Sequence, residues 1–476
     1  MRSVAIIGAG ITGLTAAFYL KRAGIPVSVY EMRNRAGGAI QSIRHEGYLA
    51  ESGPNTILET SPRITQLILD VGLASRRIET NPASKTRYLV RYKRPIAMPD
   101  SVRAFLTTDL FSLRAKLAFF REPFVPARRG GPEESIADFV SRRICPEFLD
   151  YAVDALVGGI YAGDPVNLSV RHAFPKLQKL EEEYGSLVKG QLLGARKRKR
   201  SGEIAKNSAQ AFSFDEGLEV LPKRLCEILA DSIHLNTSIN RITQTSSGWS
   251  LELRDGERVI RSDFSAVLYA GTAFNLAELP IECATSLERT ACPDELRRTD
   301  FSPFSEIRHP PVSSVVLGYR RRDVAHPCSG FGVLIPKIEG FDILGTIFSS
   351  SLFPNRAPAD HITLTSYIGG ERNSTLASLP SEELFDLTHR ALRTLLSIRG
   401  SPTFRHHSFY PKAIPQYNVG YDRYNRLMNE IEDKTQNLFF AGNYRHGISV
   451  GDSIVSACNI SERIEKSLIP IQSFGS

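Results

Sequence analysis

A glycine triad placed directly after the first apolar run constrains this chain more than any other feature. Val4 to Ile7 is apolar and mostly β-branched, Gly8-Ala9-Gly10-Ile11-Thr12-Gly13 follows without a break, and Leu14, Ala17 and Phe18 recur at helical spacing. Strand, tight turn and helix must succeed one another. The first glycine permits the turn, the second lets backbone approach a pyrophosphate, and the third lets the helix close on the strand. The helix N-terminus, with Ile11 and Thr12 in its first turn, is left aimed at the phosphates. After Gly24 a second strand, Val27-Ser28-Val29-Tyr30, ends in Glu31. A carboxylate there can accept both ribose hydroxyls of an adenosine and would repel a 2′-phosphate. Arg33, Arg35, Gly37 and Gly38 extend the cradle past that strand. A long, bent dinucleotide needs such an extension and a simple nicotinamide site does not, so a flavin dinucleotide is the leading reading.

Similar grammar recurs at the far end. Leu438-Phe439-Phe440-Ala441-Gly442-Asn443 reads as an apolar strand ending in Gly-Asn, followed by Gly447-Ile448-Ser449-Val450-Gly451-Asp452 and a helical stretch from Ser453. A helix N-terminus is partially positive and stabilises negative charge on a reduced flavin ring. Two distant segments are therefore expected to grip one cofactor. Between them, Thr237 to Ala270 reads as a meander with an Asp255-Gly256 turn, in which Trp249 is a packing residue.

Length and composition bound the rest. At 476 residues, 42% hydrophobic and 23% charged, the chain suits a globular protein of several domains. A net charge of +8 favours anionic partners without choosing among nucleic acid, acidic lipid and a carboxylate substrate. Six cysteines without a C-x-x-C spacing exclude a zinc knuckle or thioredoxin-type motif and favour a reduced, intracellular home. No metal site is expected. The basic run Arg196 to Arg200 lacks interleaved aromatics, so it reads as a solvated loop and not as a nucleic-acid site.

Taken together these segments resemble the flavin-containing amine oxidase superfamily and, within it, the protoporphyrinogen oxidase family. The narrower likeness rests on three further phrases: Glu51-Ser52-Gly53-Pro54-Asn55, Gly158-Gly159-Ile160-Tyr161-Ala162-Gly163-Asp164, and Gly330-Phe331-Gly332-Val333-Leu334-Ile335-Pro336. Phe214-Asp215-Glu216-Gly217-Leu218 departs from the family by carrying Glu216 for a glycine. The resemblance implies an α/β protein with a discontinuous Rossmann-like FAD-binding domain (1–84, 210–282, 408–476), a mixed-sheet substrate domain (85–98, 186–209, 283–407) and a helical insertion (99–185). It implies non-covalent FAD, held by the glycine triad, Glu31, Arg35, Gly37, Gly38, Gly53, Pro54, Asn55, Ile239 and the loop Gly442, Asn443, Gly447, Ile448, Ser449, Val450 and Asp452.

It also implies six-electron oxidation of protoporphyrinogen IX, with dioxygen reduced to hydrogen peroxide. Arg87 would bind a propionate, Gly159, Leu334 and Phe353 would line the macrocycle, and no side chain is nominated as acid or base. His446, His406 and His407 are expected to be structural. Four-propionate coproporphyrinogen III on the same scaffold and another superfamily reaction remain the enzyme alternatives, and Arg91, Lys93 and Arg94 either serve extra carboxylates or lie at the surface. A non-catalytic nucleotide-binding protein is the alternative of a different class. A homodimer is compatible with the resemblance. Leu110, Leu113, Leu117 and Phe120, with Arg114, Lys116 and Arg121 nearby, form an apolar face with basic flanks. Such a face suits packing on its own domain or lying on anionic lipid. The expectation is a cytoplasmic protein in peripheral contact with the inner face of the cell membrane.

Overall fold

The computed structural model describes residues 2–128, 130–193, 209–283 and 300–468; the basic run at 196–200 lies outside them. Its centre is a five-stranded parallel sheet ordered Ile233–His234, Val27–Tyr30, Val4–Ile7, Ala266–Tyr269, Leu438–Phe440. Side chains of a strand alternate between faces, and these strands are apolar on both. Val4, Ile6, Leu268 and Phe439 pack under the helices Ile11–Arg22, Val220–Ile228 and Val450–Leu468, whereas Ala5, Val267, Tyr269 and Phe440 join a second core with Trp249 and Leu251. Burial on both faces is what a parallel sheet covered on each side requires.

The meander differs from its expectation in one strand. Thr237–Thr245, Gly248–Asp255 and Arg258–Phe264 form the antiparallel ribbon, with Asp255-Gly256 at its second turn. Ala266–Tyr269, expected as the third ribbon strand, pairs instead with Val4–Ile7. Its uninterrupted apolar run fits a sheet buried on both faces. Trp249 is buried, and its indole N–H donates to Gln436 O at 2.7 Å.

A seven-stranded mixed sheet runs Phe404–Tyr410, Val312–Arg320, His361–Gly369, Ile343–Ile347, Gly332–Leu334, Arg87–Arg91, Arg94–Ala97. Only the pairing of Gly332–Leu334 with Arg87–Arg91 is parallel, and the helix Ser381–Leu396 covers one face through Leu384, Leu392 and Leu395. Between residues 101 and 184 the chain is mostly helical. Ser101, Ser112, Ser135 and Ser169 each accept the N–H three residues on, caps worth about 1 kcal/mol apiece. Here too the outcome departs from the sequence pattern. The helix starts at Leu113, so Leu110 sits buried in the preceding turn, while Leu113, Leu117 and Phe120 face solvent at 73%, 57% and 45% exposure. Among the described residues no helix is long and apolar enough to cross a membrane.

Candidate active site

The parallel strands end together along one crest, and the strand order reverses between Val4–Ile7 and Ala266–Tyr269, a switch point where such sheets bind ligands. The glycines there serve different needs. Gly8 has φ +105°, and a Cβ on it would lie 2.9 Å from Ala270 O; a Cβ on Gly13 would collide with Gly8 O. Gly10 faces open space with nothing within 4 Å. It is the N-cap of the helix Ile11–Arg22, and no side chain caps that end. Room beside an uncapped helix N-terminus fits a pyrophosphate.

Around this opening the loops are cross-tied. Glu31 accepts the Ala9 N–H through Oε2 and the Arg33 N–H through Oε1, both at 3.0 Å. Gly37 N–H donates to Ala9 O at 2.8 Å, and Arg35 Nη2 donates to Gly38 O at 2.7 Å. Asn236 and Thr237, leading toward Ile239, donate their N–H groups to Arg33 O and Glu31 O. A Cβ on Gly53 would strike Ala39 O. Gly53 O accepts the Tyr367 hydroxyl at 3.0 Å, and Asn55 Nδ2 donates to that hydroxyl at 2.6 Å, with Pro54 half-buried between.

The C-terminal loop reaches the same crest. Ala441 N–H donates to Tyr269 O at 3.0 Å, and the Tyr417 hydroxyl donates to Asn443 O while accepting the Gly447 N–H at 3.0 Å. Gly447 has φ +117°, where an added Cβ would meet the Asp452 carboxylate at 2.6 Å. Ser449 accepts the Asp452 N–H at the start of the helix Val450–Leu468, and Ile448 packs on the second core. Arg445 secures the loop from behind through Glu432, Asn429 and Phe440 O. Desolvation pushes His446 down to about 4, which leaves it neutral at physiological pH.

Below the crest, the mixed sheet brings Arg87 and Leu334 onto neighbouring strands: Arg87 stands opposite Gly332, and Leu89 opposite Leu334. The Arg87 guanidinium lies 5.5 Å from the Phe331 ring centroid and pairs with no carboxylate among the described residues. It is open to water, yet enough protein surrounds it that desolvation lowers its pKa from the usual arginine range. A Cβ on Gly159 would drive into Leu334 Cδ2. Leu156 and Ile160 share that helix face at 39% and 42% exposure, so the wall around Gly159 is apolar and accessible. Phe353 is buried and lies 5.2 Å from the Arg356 guanidinium.

Arg91 and Lys93 are committed elsewhere. Arg91 is buried, with Nη1 donating to Glu147 Oε1 at 2.9 Å and to Leu110 O, and Lys93 Nζ bonds Glu339 O. Arg94 is exposed. His406 bonds Ser52 and Ser408, and His407 bonds Ser313 and Ser381. Tyr367, Tyr417 and Arg372 also shape the site and carry no sequence signal, because their partners lie far away along the chain.

The family model for flavin containing amine oxidoreductase matches residues 11–465. Protoporphyrinogen oxidase 2, chloroplastic/mitochondrial, of Arabidopsis thaliana is 33% identical over 487 residues, covering 97% of this chain and 94% of the relative. Coproporphyrinogen III oxidase of Bacillus subtilis is 26% identical, covering 95% and 96%. A crystal structure from Exiguobacterium sp. 255-15 superposes with a TM-score of 0.80 at 21% identity, covering 98% of this chain and 99% of the other, which shows a shared fold. The chain belongs to the flavin containing amine oxidoreductase family and is a flavin-dependent oxidoreductase.

Proposed function

We propose that the chain oxidises protoporphyrinogen IX to protoporphyrin IX, with FAD as its non-covalent cofactor and dioxygen as terminal acceptor. Arg87 carries this reading: a cation without an acidic partner among the described residues, beside an accessible apolar wall, suits a greasy ring that bears carboxylates. The names of the relatives support the substrate class. On this reading the cofactor unit comprises 1–84, 210–282 and 408–476, the substrate unit 85–98, 186–209 and 283–407, and the helical unit 99–185.

The bound cofactor would supply two-electron acceptor chemistry, taking three hydrides in turn while three protons leave the macrocycle and dioxygen departs as hydrogen peroxide. The chain's residues bind, orient and exclude water. Glu31 would hold the ribose, the space at Gly10 and the first-turn N–H groups would hold the pyrophosphate, and the N-terminus of Val450–Leu468 would stabilise negative charge on the reduced ring system. Arg87 forks onto a propionate, which orients as well as binds. Gly159 and Leu334, packed against one another, would offer the macrocycle an apolar wall, and Phe353 is assigned to the same site on the resemblance alone.

The internal bonds of Arg91 and Lys93 take two cations away from the neighbourhood of Arg87. That favours two propionates over the four of coproporphyrinogen III. The exposed Leu113, Leu117, Phe120 and Phe124, interspersed with Arg114, Lys116 and Arg121, would rest on anionic lipid at the inner face of the cell membrane. An aerobic assay offering each porphyrinogen to the purified holoenzyme, read by porphyrin fluorescence, tests the proposal. Faster turnover of protoporphyrinogen IX is expected, and turnover of an amine with neither porphyrinogen oxidised would reject it.

A further inference from the structure

The wall residues Gly159 and Leu334 belong to different parts of the fold, yet one buried ion pair fastens those parts together. The helix Asp154–Tyr161 follows a π-helical turn, Leu149–Val153, a feature that frequently marks functional sites. Two adjacent glycines give this helix two bare faces. A Cβ on Gly158 would lie 2.7 Å from Arg372 Nη2, and one on Gly159 would strike Leu334. Arg372 comes from the far side, just after the strand His361–Gly369. Its side chain is 5% exposed, and that of Asp154 is 12% exposed.

The guanidinium bonds both parts at once. Arg372 Nη2 donates to Asp154 O and to Asp154 Oδ2, each at 2.7 Å, and Nη1 donates to Ile335 O at 2.7 Å. Asp154 Oδ2 also accepts the Lys337 N–H at 2.7 Å. The chain is therefore pinned one and three residues beyond Leu334 to the start of the helix that carries Gly159. At the other end of that helix, Glu371 N–H donates to Ala162 O at 2.8 Å, so residues 371 and 372 span its whole length.

We propose that Arg372 is a positioning residue that holds Leu334 against Gly159, and so sets the apolar wall on which the macrocycle would fit. The inference rests on the porphyrinogen reading for its substrate but not for its geometry. A lysine keeps the charge and loses the planar fork, so it cannot bond Asp154 and Ile335 in the same geometry. Leu334 is then free to shift.

Two measurements on purified holoenzyme test this. Steady-state kinetics of R372K should show KM for protoporphyrinogen IX raised about tenfold, kcat reduced less than about threefold, and the flavin absorbance unchanged. Independently of any substrate, G159A should lower the melting temperature in the native background and lower it by about half as much or less in R372K, where Leu334 can yield to the new methyl. Additive shifts in that cycle overturn the clamp whatever the kinetics show. Coupled shifts with an unchanged KM remove its role in substrate fit. If the native enzyme turns over neither porphyrinogen, the functional reading falls and the stability cycle alone decides. Should R372K fail to fold, D154N is read in its place.

Discussion

Arg87 shows how a side chain can be defined by what it lacks. Phe331 lies under its guanidinium and no acid among the described residues neutralises it, which suits the propionate contact proposed for it. Arg87→Ala is expected to raise KM for the porphyrinogen about tenfold or more, with a smaller fall in kcat, because the lost contact binds more than it stabilises the transition state. Unchanged steady-state kinetics would remove Arg87 from the site. Glu51 is a second case. Burial pushes its pKa up to about 7, against the lowering influence of Ser42, the Leu218 N–H and Arg356. The fold thus favours the protonated carboxyl. The stability this contributes is fully present below about pH 4.5 and lost as pH rises through about 7. Glu51→Gln stays neutral throughout, so its unfolding free energy should be flatter over that window and gain up to about 3 kcal/mol on the native protein at pH 8. Parallel denaturation profiles would reject this. Gly8, Gly13 and Glu31 were legible in the sequence because turn, strand and helix lie within one local pattern. The raised pKa of Glu51 was not, since the burial that causes it is built by segments as distant as Leu218, 167 residues away.

Elements were legible in type more readily than in their neighbours. The Asp255-Gly256 turn and the alternation around Trp249 pointed to the ribbon, but the partner of Ala266–Tyr269 depends on a strand at the other end of the sequence. The helix Leu113–Arg121 carries the same lesson. Its apolar period is evident, yet periodicity cannot say whether that stripe is covered, and the fold leaves Leu113 and Leu117 bare. A stripe that packed on its own domain would be buried. Replacing Leu113 and Phe124 together by Asp should reduce co-sedimentation with anionic vesicles at least fivefold while leaving the melting temperature within about 2 °C, since both side chains are exposed. Equal sedimentation of the native and doubly substituted proteins would dismiss the membrane contact.

At the scale of the whole molecule, the Rossmann-like half was readable because its strands carry continuous apolar runs and its loops carry glycines. The mixed sheet was readable mainly through resemblance. Its order sets residues 87–97 at one edge of strands drawn from residues 312–410, and Arg372 meets Asp154 across 218 positions of sequence. Such contacts leave no local pattern. The order of the parallel sheet has a temporal consequence as well. Its outer strand, Leu438–Phe440, and the loop tied down by Tyr417 are made last, after every other strand of the sheet. A polypeptide still growing on the ribosome holds an open-sided nest until they emerge, so on the proposed reading of that loop the coenzyme would be locked in only once synthesis has passed them.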